Sequence, residues 1–182
     1  MKEIVEKILR DPRYLENIEY GEPRAGHPEG SVRNHIAELE ENLEMLRPRG
    51  ISEDDFWKLK FLIHVHDSFK REAIPDARIL DPRSHASLAR AYASRFTADR
   101  DLLSMLQFHD ENYALWLQWH KTGSYDQDRF RRLLTTIRDW DLFLTFLIID
   151  GSTAGKDRAK LVWFLREVRR HIDTGVDESW IP

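Results

Sequence analysis

A chain of 182 residues without a cysteine has no disulfide framework, no thiolate nucleophile and no Cys-ligated zinc. Its 28 basic and 32 acidic side chains leave a net charge of −4, which does not favour binding to a nucleic-acid polymer. Hydrophobic residues at 41% and charged residues at 33% make an ordinary soluble composition, and the length suits one domain with a real core.

In chain order the pattern is helical. Ile4, Ile8 and Leu15 predict one or two short leading helices, interrupted at Asp11-Pro12. Residues 21–30 carry Pro23, Gly26 and Pro28 and are expected to be a loop. Ser31 is a good N-cap for a helix with Ile36, Leu39, Leu43 and Leu46 on one face, ended by Pro48-Arg49-Gly50. Ser52 caps the next helix, whose first turn holds Glu53, Asp54 and Asp55, where the helix dipole favours acids. Two prolines make residues 73–83 a loop, and helices are expected over about 84–96, from about 99 onward, and over 113–120. Residues 126–150 form one long helical pattern, Gly151 and Gly155 punctuate it, and a last helix runs over 157–171. No window alternates with period two, so the expected fold is all-α with no sheet. The run Leu142 to Ile149 is too short to span a bilayer, and no long apolar stretch follows the charged N-terminus, so a cytoplasmic location is the default expectation.

Five helical stripes each carry one polar residue where an apolar one is expected. His35 leads Leu39, Leu43 and Leu46, and His66 closes Leu59, Leu62 and Ile63. His85 opens Leu88, Ala89 and Tyr92; His109 closes Leu102, Met105 and Leu106; Asp150 closes Phe143, Phe146 and Leu147. Residues at this spacing share a helix face, so each polar side chain points with the core. Asp67 follows His66, and an unpaired buried carboxylate is costly. A single His–Asp pair could be a hydrogen-bonded core element. Five stripes would need five separate buried partners, whereas one or two divalent ions satisfy imidazole and carboxylate donors together.

The order His35, His66-Asp67, Asp150 resembles the metal-binding signature of the HD-domain superfamily of metal-dependent phosphohydrolases. The segment from His27-Pro28-Glu29-Gly30-Ser31 to His35 is similar to the approach to that domain in many members, and Lys70 matches the lysine of the His-Asp-x-x-Lys motif. His85 and His109 fall where the binuclear branch has two further histidines. The resemblance covers roughly residues 26–165, which sets a core domain between an N-terminal helical extension, 1–25, and a C-terminal tail, 173–182, all in one HD-like unit. It implies an all-α bundle with a central metal site, where His35, His66, Asp67 and Asp150 hold one ion. With a second ion, Asp67 bridges and His85 and His109 complete the site. Without one, the two histidines contact substrate. Asp110 follows His109 where some binuclear members have a histidine, so the residue binding there stays open.

The chemistry implied is hydrolysis of a phosphate ester of a small substrate, such as a nucleotide, by metal-activated water. Asp67 and Lys70 take the catalytic roles; Lys70, Lys156 and Arg158 would contact the phosphate. Ligand types do not distinguish Mn, Fe, Mg, Co, Ni and Zn. A diiron oxygenase acting on a cyclitol or phosphonate-like substrate would use the same six ligands, and a non-catalytic HD-like ligand-binding module is a third class. The expected partner is a small phosphorylated molecule, with no membrane contact and room for a homodimer. His64 reads as a bystander, His27 as a loop or supporting residue, and His120 and His171 have no recognisable partner. Residues 150–157 imitate a phosphate-binding loop but carry Asp150 in the first glycine position and Asp157 in place of the required Ser or Thr. Tyr113, Trp116 and Trp119 read as core or dimer interface before base stacking.

Overall fold

A computed structural model describes residues 1–24 and 28–182; His27 and Gly26 lie outside the described residues. Ten α-helices form among them, and no β-strand: α1 (Lys2–Ile8), α2 (Pro12–Asn17), α3 (Val32–Leu46), α4 (Glu53–Val65), α5 (His85–Ala93), α6 (Arg100–Phe108), α7 (Glu111–Thr122), α8 (Gln127–Thr136), α9 (Trp140–Gly151) and α10 (Ala159–Arg169). The fold is all-α, as the stripes predict. No helix among the described residues is long and apolar enough to cross a membrane.

Local sequence sets the helix starts. Ser31 Oγ accepts from Asn34 N at 3.3 Å, Ser52 Oγ from Asp55 N at 3.1 Å, and Ser84 Oγ from Ser87 N at 3.1 Å, each satisfying an amide that the helix itself cannot. Asp11 caps α2 with Pro12 in its first turn, where the missing N–H costs nothing.

The expected long helix over 126–150 is two. Ile137 turns extended (φ −78°, ψ 133°) after α8, and Asp139 caps α9 by accepting from Leu142 N at 3.0 Å. The freed amides of Arg138 and Asp139 donate to the Asp101 carboxylate on α6 at 2.9 and 2.8 Å. A partner 37 residues away makes this break cheap, which is why hydrophobic period alone does not reveal it.

Helix α9 lies at the centre. Leu142, Phe143, Leu144, Phe146, Leu147, Ile148 and Ile149 are all buried around its full circumference, as expected for a helix enclosed on every side. Burying each such side chain is worth roughly 1.5–3 kcal/mol. It packs against α3, α4 and α10, while α4 also touches α1 and α6, and α5 pairs with α6. Asn42 on α3 donates to Ile149 O at 2.9 Å, locking α3 to α9 one residue before Asp150. Val5, Ile8, Tyr14 and Ile18 of the leading segment join the same hydrophobic cluster, as does Val176 near the C-terminus.

Tyr113, Trp116 and Trp119 are not core. Tyr113 and Trp119 are exposed. The rings stack along the surface of α7, Trp116 on His120 at 4.9 Å and Trp119 on Trp163 of α10 at 5.5 Å.

Candidate metal centre

The six expected ligand side chains meet at one place, delivered by five segments. His35 comes from the first turn of α3, His66 from the C-cap of α4, Asp67 from the turn after it, His85 from the first residue of α5, His109 from the C-cap of α6, and Asp150 from the last turn of α9. Two groups could each hold a metal ion: His35, His66 and Asp150, and Asp67, His85 and His109. Within the first group His35 Nε2 lies 3.0 Å and His66 Nε2 3.9 Å from Asp150 Oδ1. Within the second His85 Nε2 lies 3.2 Å from His109 Nε2, and Asp67 Oδ1 is 3.6 and 3.5 Å from these two nitrogens.

The Asp67 carboxylate joins the groups. Its Oδ1 faces His85 and His109, while its Oδ2 lies 3.9 Å from His35 Nε2 and 3.4 Å from His66 Nε2. Lys70 Nζ, one turn on, donates to the same Oδ2.

Backbone geometry fixes which nitrogens face inward. His66 Nδ1 sits 3.2 and 3.1 Å from the carbonyls of Leu62 and Ile63, and His109 Nδ1 sits 2.8 Å from Leu106 O. A carbonyl only accepts, so Nδ1 carries the proton and donates in both rings, and Nε2 is turned to the cluster. His35 Nδ1 faces Glu29 Oε1 at 3.6 Å, a carboxylate suited to orienting that ring from behind.

Whether the cluster fits a cation can be judged from the atoms it leaves without partners. His66 Nε2 and Asp67 Oδ1 are buried with no hydrogen bond. Buried polar atoms of native proteins are nearly always satisfied, so a lone pair and a carboxylate oxygen aimed at the same space suit a positive ion. The donor set of imidazole nitrogens and carboxylate oxygens suits a divalent transition metal.

Electrostatics agree. Burial works against the ionised Asp67, but Lys70 and His66 hold its carboxyl well below the usual range. Burial works against Asp150 as well, and Lys156 and His35 overcome it in the same way. Burial would lower His109, but the carboxylates of Asp110 and Asp67 raise it to about 9. His66, buried most completely, is pushed down.

The remaining expected residues divide. Lys156 Nζ donates to Asp150 Oδ1 at 2.8 Å and to Asp150 O at 2.9 Å, so it belongs to the cluster. Arg158 is not brought there: it is exposed and its guanidinium lies 3.4 Å from Ser152 O. Its position before α10 turns it back along the chain.

His64 is buried and engaged elsewhere. Its Nδ1 lies 2.6 Å from Tyr14 Oη and its Nε2 3.1 Å from Glu40 Oε1, which also takes Lys60 Nζ at 2.7 Å. Lys160, which sequence reasoning missed, rests 5.1 Å over the Tyr113 ring, and burial lowers its pKa against the pull of Asp150.

A cleft lined by Glu29, His35, Asp67, Lys70 and the start of α3 reaches the cluster from outside. The loop forming its rim is held by Gly21, whose φ of +114° suits glycine and whose added Cβ would stand 2.5 Å from Gly30 O. No protein-family model, curated protein or solved structure matches this chain.

Proposed function

We propose that the protein is a metal-dependent phosphohydrolase that uses two divalent ions to cleave a phosphate ester of a small molecule. The observation that carries this reading is the Asp67 carboxylate, with one oxygen directed to each of two His-containing groups. A shared carboxylate between two such groups is the arrangement suited to an in-line displacement at phosphorus, where attacking and leaving oxygens both need charge neutralised.

His35, His66 and Asp150 would hold one ion, His85 and His109 the other, and Asp67 both. The ions supply Lewis acidity and acidify water. The chain supplies the rest. Backbone carbonyls hold the His66 and His109 imidazoles with Nε2 inward, and the Glu29 carboxylate stands 3.6 Å from His35 Nδ1. Lys70 and Lys156 each rest an ammonium on a cluster carboxylate. With those carboxylates engaged by cations, Lys70 and Lys156 would be free to pair with phosphate oxygens as point charges. Those two lysines favour an anionic phosphate or phosphonate group over an uncharged cyclitol, and hydrolysis of a phosphate ester is the reaction proposed.

The test is the metal content of protein purified without added metal, followed by a panel of phosphomonoesters and phosphodiesters. About two ions per chain, with phosphate release abolished by chelation and by Asp67→Asn, is expected. Iron with substrate-dependent oxygen uptake and no phosphate release would replace the reading by an oxygenase. Bound metal without turnover of either kind would leave a ligand-binding module.

A further inference from the structure

Asp110 lies at the edge of the second group and has no assigned part in it. We infer that its carboxylate is a direct ligand of the second ion, completing a four-donor set with Asp67, His85 and His109. The inference rests on the two-ion reading above.

Distances carry the argument. Asp110 Oδ2 lies 3.1 Å from His85 Nε2 and 3.7 Å from His109 Nε2. The other neighbouring pairs of the set are His85 Nε2 to His109 Nε2 at 3.2 Å, and Asp67 Oδ1 to the two nitrogens at 3.6 and 3.5 Å. Donors about 2.0–2.2 Å from a common ion stand roughly 3.0–3.5 Å apart in tetrahedral or octahedral arrangements. These five of the set's six separations are close to that interval.

A second observation concerns what Asp110 does not do. It is the N-cap residue of α7, yet its side chain makes no capping hydrogen bond. Asp11, Asp99, Asp126 and Asp139 stand at the same position of other helices and all accept from first-turn amides. The Asp110 carboxylate is turned from its own helix to the two imidazoles, which are its only ion-pair partners among the described residues. Its side chain is 51% exposed, against 3% for His109 and 8% for Asp67. It therefore closes the second group from the solvent side, where a substrate or water would otherwise be the neighbour.

The chemical consequence is balance. Both groups become pairs of imidazoles with two carboxylates, sharing Asp67. Three carboxylates then face two divalent ions, so the second position takes a cation by protein donors alone and keeps it between turnovers.

Calorimetric titration of the metal-free protein with Mn2+, and metal analysis after desalting, would test this. Asp110→Asn keeps an oxygen that can accept from His85 but removes the anionic donor. Asp110→His offers a neutral nitrogen donor in its place. The wild type is expected to bind about two Mn2+. Asp110→Asn should retain the first and bind the second at least tenfold more weakly, and Asp110→His should recover part of that loss. Two ions bound to Asp110→Asn with unchanged affinity would overturn the inference while leaving the two-ion reading intact. A wild type that binds one ion or none would overturn both.

Discussion

Replacing Asp67 by Asn tests whether this carboxylate is the joint between the two groups. The side chain keeps its shape and loses its charge. In metal-free protein the change leaves Lys70, whose ammonium sits on Oδ2, without its carboxylate, and leaves His109 with Asp110 alone as a charged partner. Breaking a buried ion pair by removing one partner costs about 3–5 kcal/mol. The amide can still accept one hydrogen bond, which places the expected loss near the lower end, about 3 kcal/mol. For a domain of 182 residues each kcal/mol is worth about 2–4 °C in Tm, so the variant should melt about 6–12 °C below wild type in EDTA. Metal analysis should fall from about two ions per chain to less than one. A variant that melts low in EDTA but still binds two ions would make Asp67 a core ion pair and nothing more. A variant with the wild-type Tm and full metal would refute the electrostatic argument as well.

Further outcomes follow from the same geometry. His109, raised to about 9 from an ordinary 6.5, stabilises the metal-free fold fully below pH 6.5 and loses that contribution as pH rises through 9, by up to about 3 kcal/mol; urea denaturation in EDTA at pH 6.5 and 9.5 should show it. The same proton must leave for an ion to bind His109, so Mn2+ affinity should rise from pH 6.5 to 9, and a flat titration would refute this. Tyr14→Phe leaves buried His64 Nδ1 without its partner at 2.6 Å and should cost about 1–3 kcal/mol in chemical denaturation, with metal content unchanged. Lys156→Met should leave both ions in place and lower kcat/KM for a phosphate ester by about tenfold or more; loss of metal would instead make Lys156 a prop for Asp150.

His35, His66, His85, His109 and Asp150 were legible because each sits where helical spacing demands an apolar residue, and Asp67 because it follows His66. His35 and Asp150 lie within α3 and α9, and the stripes of α4 and α6 run on to His66 and His109 although both helices end one residue earlier. Periodicity therefore reports direction even at a helix end. Pairings between distant segments were not legible. Nothing near His64 announces that Tyr14 and Glu40 will take its two nitrogens. Nothing near Ile137 announces that Asp101 will receive the amides freed there. Lys156 and Arg158 look equivalent in sequence, but one side chain reaches Asp150 and the other does not. Whether Asp110 would cap α7 or face His85 was likewise decided by the tertiary structure, since aspartate suits either role.

The two oxygens of Asp67 also bear on how the centre would fill. An ion drawn to Oδ2 fixes the carboxylate plane for Oδ1, and adds a positive charge within a few ångströms of the second position. The first effect favours the second ion and the second opposes it. Whatever their balance, linkage requires reciprocity: each ion changes the affinity of the other by the same factor. Where the two effects do not cancel, loading would not follow two independent isotherms. A change on the His35 side alone would then move the apparent affinity measured on the His85 side, although no donor there had been touched.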